Sequence, residues 1–187
     1  ANGLFAAGAP EDAERIDCGG AVLAPGLIDI RVHLCEPGEE HKEDISSASQ
    51  AAVAGGITSI VALPDTHPPI DDVALVEFIA RRAREAKLVK VYCHAAVTRG
   101  LAGTEITEIG LLKEAGVLAF TDGRRAVASA AVMARALTYA KGFDALIIQH
   151  PEEPALAGGD MNAGEMATRL GLAGIRPEAE LIMLERD

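Results

Sequence analysis

Residues 25–33, Pro-Gly-Leu-Ile-Asp-Ile-Arg-Val-His, are the stretch that decides the fold. A Pro-Gly turn introduces a short run rich in β-branched residues, which predicts a buried strand with His33 at its C-terminal end. Residues 44–54 then place small and apolar side chains at helical spacing, and Gly55 and Gly56 follow where a left-handed C-cap is expected. The stretch therefore predicts one strand followed by one helix.

The same alternation of strand and helix continues along the chain. It predicts strands at 59–63, 89–97, 117–120 and 145–150, and helices at 73–86, 105–115, 129–141 and within 165–187. The strands are nearly continuous apolar blocks, which is typical of parallel sheets covered on both faces. A doubly wound open sheet is the competing architecture, but both phosphate-loop patterns, G-x-G-x-x-G and G-x-x-x-x-G-K-[ST], are absent.

We therefore predict an α/β fold in which residues 25–187 form the first part of a (β/α)8 TIM barrel, about five of its eight units. The chain has 187 residues, fewer than the roughly 250 of a typical closed barrel, so it is expected to be a piece of a larger fold. Residues 1–24 are assigned to the edge of a small β-sandwich domain, because residues 16–23 are typical of short β-structure. An unclosed barrel exposes sheet edges, which predicts a homo-oligomer.

The composition of the chain argues against several classes of binding partner. The formal net charge of -11 repels phosphate groups and anionic lipid, so neither nucleic acid nor a membrane surface is an expected partner. The three cysteines form no C-x-x-C pair, which argues against a disulfide framework and favours the reducing cytoplasm. The chain also lacks an apolar run of the roughly 20 residues that a membrane span needs.

Ionisable residues gather where the predicted strands end. His33, Asp65, Asp122 and His150 each follow a different strand. In a barrel these ends line one mouth, so His33, Asp122 and His150 are predicted to converge as a mixed nitrogen and oxygen ligand set suited to zinc. The alternative is that each histidine only forms a local hydrogen bond.

Several motifs in sequence order resemble those of one family. Residues 25–38, PGLIDIRVHLCEPG, are similar to the dihydroorotase signature P-G-x-I-D-x-H-x-H-x-R-E-P-G. Residues 63–66, LPDT, resemble that family's M-P-N-T, and residues 119–123, AFTDG, resemble its A-F-[ST]-D-D-G. The chain thus resembles the N-terminal portion of dihydroorotases, members of the amidohydrolase superfamily.

This resemblance implies the reversible cyclisation of carbamoyl aspartate to dihydroorotate in pyrimidine biosynthesis, catalysed by zinc at the barrel mouth. It implies that His33, Asp122 and His150 are metal ligands. A further histidine ligand and the aspartate that shuttles the proton are expected beyond residue 187, so no catalytic residue is predicted within the chain.

Three positions depart from the family pattern. Arg31 stands where the first metal-binding histidine is expected, and a guanidinium cannot coordinate a metal. Cys35 replaces the arginine that grips the substrate carboxylate, and Asp65 replaces an asparagine that assists it. Both of these changes oppose the binding of an anionic substrate.

Three functions remain open on the sequence. The first is an active dihydroorotase acting on carbamoyl aspartate or dihydroorotate. The second is a non-catalytic homologue that assembles with aspartate carbamoyltransferase. The third is a hydrolase with an altered metal and substrate, in which Cys35 is a new ligand or nucleophile.

Overall fold

The computed structural model describes residues 8, 10–14 and 16–187. Strands and helices alternate through most of this range, as the apolar periodicity predicts. The elements are β1 Leu27–Val32, α1 Ile45–Ala54, β2 Ile57–Ala62, α2 Val73–Ala86, β3 Lys90–Cys93, a 3-10 turn Arg99–Leu101, α3 Ile109–Glu114, α4 Ala130–Lys141, β4 Met161–Asn162, α5 Glu165–Leu170, β5 Gly174–Ile175 and α6 Glu178–Arg186.

The main sheet is parallel and follows the order of the chain. β1 pairs with β2, and β2 pairs with β3. The pairing continues through single parallel bridges from Ala95 to Phe120 and from Phe120 to Ile147. The α/β prediction is therefore confirmed, and within the described residues the sheet is an open series of neighbouring parallel segments.

Two predicted strands are shorter than the apolar runs that indicated them. The runs 117–120 and 145–150 form only the bridges at Phe120 and Ile147, supported by the bond from the amide of Phe120 to the carbonyl of Leu146 at 2.9 Å. The side chains of Leu118 and Leu146 are 44% and 62% exposed. Val117, Ala119 and Phe120 are buried, so the run 117–120 has the cover of a strand, but its pairing is limited to these bridges.

The predicted helix 105–115 begins only at Ile109, and the predicted strand 89–97 ends at Cys93. Residues 104–107 instead return to pair with residues 97–99: the amide of Arg99 donates to the carbonyl of Glu105 at 2.9 Å, and the amide of Thr107 donates to that of Val97 at 3.0 Å. These hydrogen bonds between residues 97–99 and 104–107 prevent the second segment from joining the helix that its apolar periodicity predicts.

The predicted β-structure at residues 16–23 is wrong, because the structure forms no strand there. The side chains of Ile16, Val22 and Leu23 are 75%, 91% and 80% exposed, so this run has no sheet against which to pack. Residues 1–7, 9 and 15 lie outside the described residues, and the assignment of 1–24 to a small β-sandwich domain stays a prediction.

Helices α1 and α2 pack on the sheet through apolar faces, and each of the two helices begins at an aspartate cap. The side chain of Asp44 accepts the amide of Ser47, and the side chain of Asp72 accepts the amide of Ala74, so both aspartates satisfy backbone donors in a first helical turn. The centre of the apolar core between the helices and the sheet is fully buried. Its largest members are Phe120, Leu34, Ile45, Ile60, Ile70, Ile79, Ile109 and Leu112.

Gly38 fixes a sharp turn in the loop after β1. Its φ is +106°, and a Cβ there would lie 2.0 Å from the carbonyl oxygen of His67. We expect Gly38→Ala to lower the free energy of unfolding by about 3 kcal/mol, because backbone strain and a backbone clash add. Chemical denaturation of the complete protein would measure this loss.

Gly116 supplies the matched control. Its φ is +99°, but nothing lies within 4 Å of the place that an added Cβ would take. Gly116→Ala should therefore cost only the backbone strain, about 1 kcal/mol. Equal losses at the two glycines would show that the contact with His67 does not constrain the loop.

Candidate metal and substrate site

A cavity of about 710 Å³ lies where β1, β2 and the segment 117–121 end. Each of these parallel segments contributes an ionisable side chain to its wall, and the loop after β1 contributes more. The lining residues that matter here are His33, Cys35, Glu39, Asp65, Asp122 and Arg124. The structure thus brings His33, Asp65 and Asp122 to one cavity, as their positions at strand ends predict.

A hydrogen-bonded chain of three side chains crosses this cavity wall. Nδ1 of His33 lies 2.9 Å from Oδ1 of Asp65, and Nε of Arg124 donates to Oδ2 of Asp65 at 2.9 Å. Burial alone would raise the pKa of Asp65, but the bonds and charges of His33 and Arg124 outweigh it and hold that pKa below its ordinary value. Asp65 is therefore a carboxylate whose charge is already matched by groups of the same chain.

Asp122 is buried, with 2% of its surface exposed. Its Oδ1 accepts the amides of Val97 and Thr98, both at 2.9 Å, and its Oδ2 accepts the hydroxyl of Thr98. Burial raises the pKa of Asp122 and outweighs the opposing effect of these bonds. Both oxygens are thus engaged in holding the loop that follows β3.

Cys35 and Glu39 stand beside His33 on the loop after β1. Cys35 is 9% exposed, and Nε2 of His33 lies 3.8 Å from Oε2 of Glu39. One ligand atom from each of His33, Cys35 and Glu39 falls within 4.8 Å of the others. Burial, and next the negative charges of Glu39 and Glu43, raise the pKa of the Cys35 thiol.

Sequence reasoning did not single out Glu39. It lies in the acidic run Glu36-Pro37-Gly38-Glu39-Glu40, which has the composition of a solvated loop. The only signal in the sequence was its short separation from His33 and Cys35, and the sharp turn at Gly38 is what brings it back toward them.

His150 lies apart from this group. Its Nε2 is 3.2 Å from Oε2 of Glu152, and it lines a neighbouring cavity of about 660 Å³ together with Arg124. It also lines a small cavity of about 110 Å³ with Arg31 and His94. The structure does not place His150 in the wall shared by His33 and Asp122, and the metal roles of these three residues stay predictions.

His94 is a buried histidine at the end of β3. It is 4% exposed, its Nε2 lies 3.0 Å from the carbonyl oxygen of Ile30, and its Nδ1 has no hydrogen-bond partner among the described residues. Burial lowers the pKa of His94, although the carbonyl groups of Ile30 and Ala119 oppose that shift.

This lowered pKa predicts a pH dependence of stability. Below a pH of about 6.5 the unfolded chain binds a proton at His94 more readily than the folded chain does. We therefore expect the free energy of unfolding to fall, relative to that of His94→Gln, as the pH drops from about 6.5 through the folded pKa. Denaturant titrations of both proteins between pH 8 and 5, roughly the range in which histidine titrates, would measure it; parallel profiles would contradict it.

Comparisons with known proteins define the class. The family model described as "Dihydro-orotase-like" matches residues 20–187. The chain is 47% identical over 180 residues to a dihydroorotase of Geotalea daltonii and 48% identical over 180 residues to one of Pelobacter propionicus. Each alignment covers 96% of this chain. The chain therefore belongs to the dihydroorotase-like family.

Solved structures share the fold at lower identity. A dihydroorotase of Saccharomyces cerevisiae, in complex with 5-fluoroorotic acid, matches 88% of this chain and 44% of its own with a TM-score of 0.60 and 15% identity. An L-hydantoinase of Arthrobacter aurescens matches 71% of this chain and 30% of its own with a TM-score of 0.57 and 21% identity. The chain spans 42% of the length of the two bacterial relatives. Among the described residues, no helix combines the length and apolar character that a membrane crossing requires.

The residues present do not fit the zinc set that the family implies. Arg31 offers a cation where a ligand is needed, Asp122 has both oxygens engaged by Val97 and Thr98, and His150 faces other cavities. Of that set, only His33 belongs to a group of three potential ligand residues among the described part of the chain.

Proposed function

We propose that this chain is the N-terminal part of a dihydroorotase-like cyclic amidohydrolase homologue of pyrimidine biosynthesis, with carbamoyl aspartate and dihydroorotate as its substrate class. The observation that carries the proposal is the meeting of His33, Asp65 and Asp122, from three parallel segments, at one cavity. The neighbouring order of the parallel segments supports the first part of a (β/α)8 barrel, whose active site lies at such strand ends. Membership of the family supports the substrate class.

The same cavity opposes catalysis in three ways. Cys35 lacks the charged, planar pair of donors with which an arginine holds a carboxylate, and Asp65 adds a negative charge on the wall. Arg124 lines that wall and is already paired with Asp65 at 2.9 Å. An anionic substrate that used Arg124 as its counter-charge would have to displace this ion pair.

These features favour a second candidate function, a non-catalytic homologue that assembles with aspartate carbamoyltransferase. The pair between Asp65 and Arg124 supports it, since it satisfies within the chain the charges that a substrate would otherwise use. Under either function we propose a homo-oligomer in the cytoplasm. The exposed apolar residues Leu27, Ile28 and Ile30 of β1, which are 64%, 65% and 62% exposed, support association with further protein.

The complete protein separates the two candidates. Dihydroorotate hydrolysis and carbamoyl aspartate cyclisation would be assayed with the purified protein, alone and after mixing with aspartate carbamoyltransferase from the same source. Turnover by the protein alone supports the enzyme. A stable complex without turnover supports the non-catalytic homologue, and the absence of both turnover and complex would overturn the two candidates together.

A further inference from the structure

The loop after β1 brings together a group of potential metal ligands that differs from the ligand set of the family. We propose that His33, Cys35 and Glu39 bind a thiophilic divalent cation, with zinc as the expected metal. The site keeps His33 and obtains its other two ligands from the same loop instead of from distant strands. It does not depend on the proposed function, because it requires neither the substrate nor the rest of a barrel.

The distances between the donor atoms suit a tetrahedral ion. Zinc bonds nitrogen and oxygen at about 2.1 Å and sulfur at about 2.3 Å, so two donors on one tetrahedral ion lie roughly 3.5 Å apart. Nε2 of His33 and Oε2 of Glu39 are 3.8 Å apart, and all three donor atoms fall within 4.8 Å of one another. A tetrahedral ion bound here would draw the three donor atoms somewhat closer together.

His33 is already oriented to act as a ligand. Its Nδ1 lies 2.9 Å from a carboxylate oxygen of Asp65, which can only accept a hydrogen bond, so the ring proton belongs on Nδ1. The lone pair is then on Nε2, the nitrogen nearest to Glu39. Metal-bound histidines in proteins are commonly held in this way by a carboxylate behind the ring, and Arg124 in turn fixes that carboxylate.

The local charge also favours a cation. Glu39, Glu43 and Asp65 all surround the Cys35 thiol with negative potential. The ammonium of Lys42 is the opposing charge, and it pairs with Oε1 of Glu39 while Oε2 faces His33. A divalent ion would relieve the repulsion among these acids and favour the thiolate form of Cys35.

Three protein ligands leave one tetrahedral position open. The ligands line the cavity of about 710 Å³, so this position would face solvent or a small molecule in the cavity. The site therefore has the coordination of a zinc centre that can exchange its fourth ligand. It can form without Arg31, Asp122 or His150.

Cobalt(II) is the probe for the test, because it takes zinc positions and shows sulfur-to-metal charge-transfer absorption only when a thiolate binds it. Metal-free complete protein would be titrated with cobalt(II), with no substrate present. We expect the charge-transfer band to appear, to vanish in Cys35→Ser, and to be lost on displacement by zinc. Glu39→Gln should retain the band but weaken cobalt binding by about tenfold or more.

Cys93→Ser is the matched control. Cys93 is as buried as Cys35, at 5% exposed, but it lies within β3 and does not line the cavity. This variant should keep the full band, and circular dichroism would verify that every variant is folded. A missing band in the unmodified protein, or a band that survives in Cys35→Ser, would overturn the proposal whatever the assay for dihydroorotate shows.

Discussion

Replacing Asp122 with alanine is expected to lower the free energy of unfolding by about 4 kcal/mol, since each unsatisfied buried donor costs about 1–3 kcal/mol. The change leaves the amides of Val97 and Thr98 and the hydroxyl of Thr98 without an acceptor in a buried setting. Because Asp122 ties the loop after β3 to the segment 117–121, we also expect that loop to become more accessible to amide hydrogen exchange. Chemical denaturation and hydrogen exchange of the complete protein would measure the two effects.

Asp122→Asn is the matched control for this prediction. Its side-chain oxygen can still accept the two amides, and its side-chain NH2 can donate to the hydroxyl oxygen of Thr98. We therefore expect Asn to lose no more than about 1.5 kcal/mol of unfolding free energy. Equal losses for alanine and asparagine, or negligible loss for both, would show that these bonds do not hold the loop.

The strand and helix pattern could be predicted from the sequence because it depends on local periodicity. For β1, β2 and α2 the predicted and observed bounds differ by two residues at most, although Leu27, Ile28 and Ile30 of β1 are more than half exposed. The runs at 117–120 and 145–150 have the same composition, yet they form single bridges. Apolar content indicates that a segment is suited to a ladder, but it does not determine how many of its residues pair with the neighbouring segments.

The candidate site, too, could be predicted from the sequence only in part. That His33, Asp65 and Asp122 meet at one cavity follows from parallel topology, since the C-terminal ends of parallel strands share one edge. How their side chains are engaged does not follow from it. Asp65 was expected to repel an anion, and the structure pairs it with Arg124, a residue 59 positions further along the chain. No local pattern marks that partner.

Asp122 illustrates why residue type and position are insufficient to assign a role. Its place after an apolar run is typical of a ligand at a barrel mouth, but the carboxylate accepts bonds from Val97 and Thr98. The direction of a side chain depends on the local backbone geometry, and Gly123, the residue after Asp122, begins a turn with a φ of +69°. Such a turn is not determined by hydrophobic periodicity.

Restoring the family's residues at positions 31, 35 and 65 is expected to produce the largest change in activity. Under the proposed dihydroorotase function, the triple variant Arg31→His, Cys35→Arg and Asp65→Asn of the complete protein should raise kcat/KM for dihydroorotate hydrolysis at least about hundredfold. Arg31→His supplies an imidazole ligand, and Cys35→Arg supplies a planar pair of donors for a carboxylate. Asp65→Asn removes a negative charge from the cavity wall and releases Arg124 from its ion pair.

The single and double variants test whether these three positions act as a unit. We expect each single change to give little activity, because an arginine at position 35 would pair with the remaining carboxylate of Asp65, and an imidazole at position 31 alone does not bind the substrate. Cys35→Lys in place of Cys35→Arg is the matched control, since it restores the charge without the bidentate fork and should recover much less activity. If the triple variant folds and, with zinc supplied, still fails to hydrolyse dihydroorotate, the substrate class proposed for this family member is wrong, and the non-catalytic homologue becomes the better account of Arg31, Cys35 and Asp65.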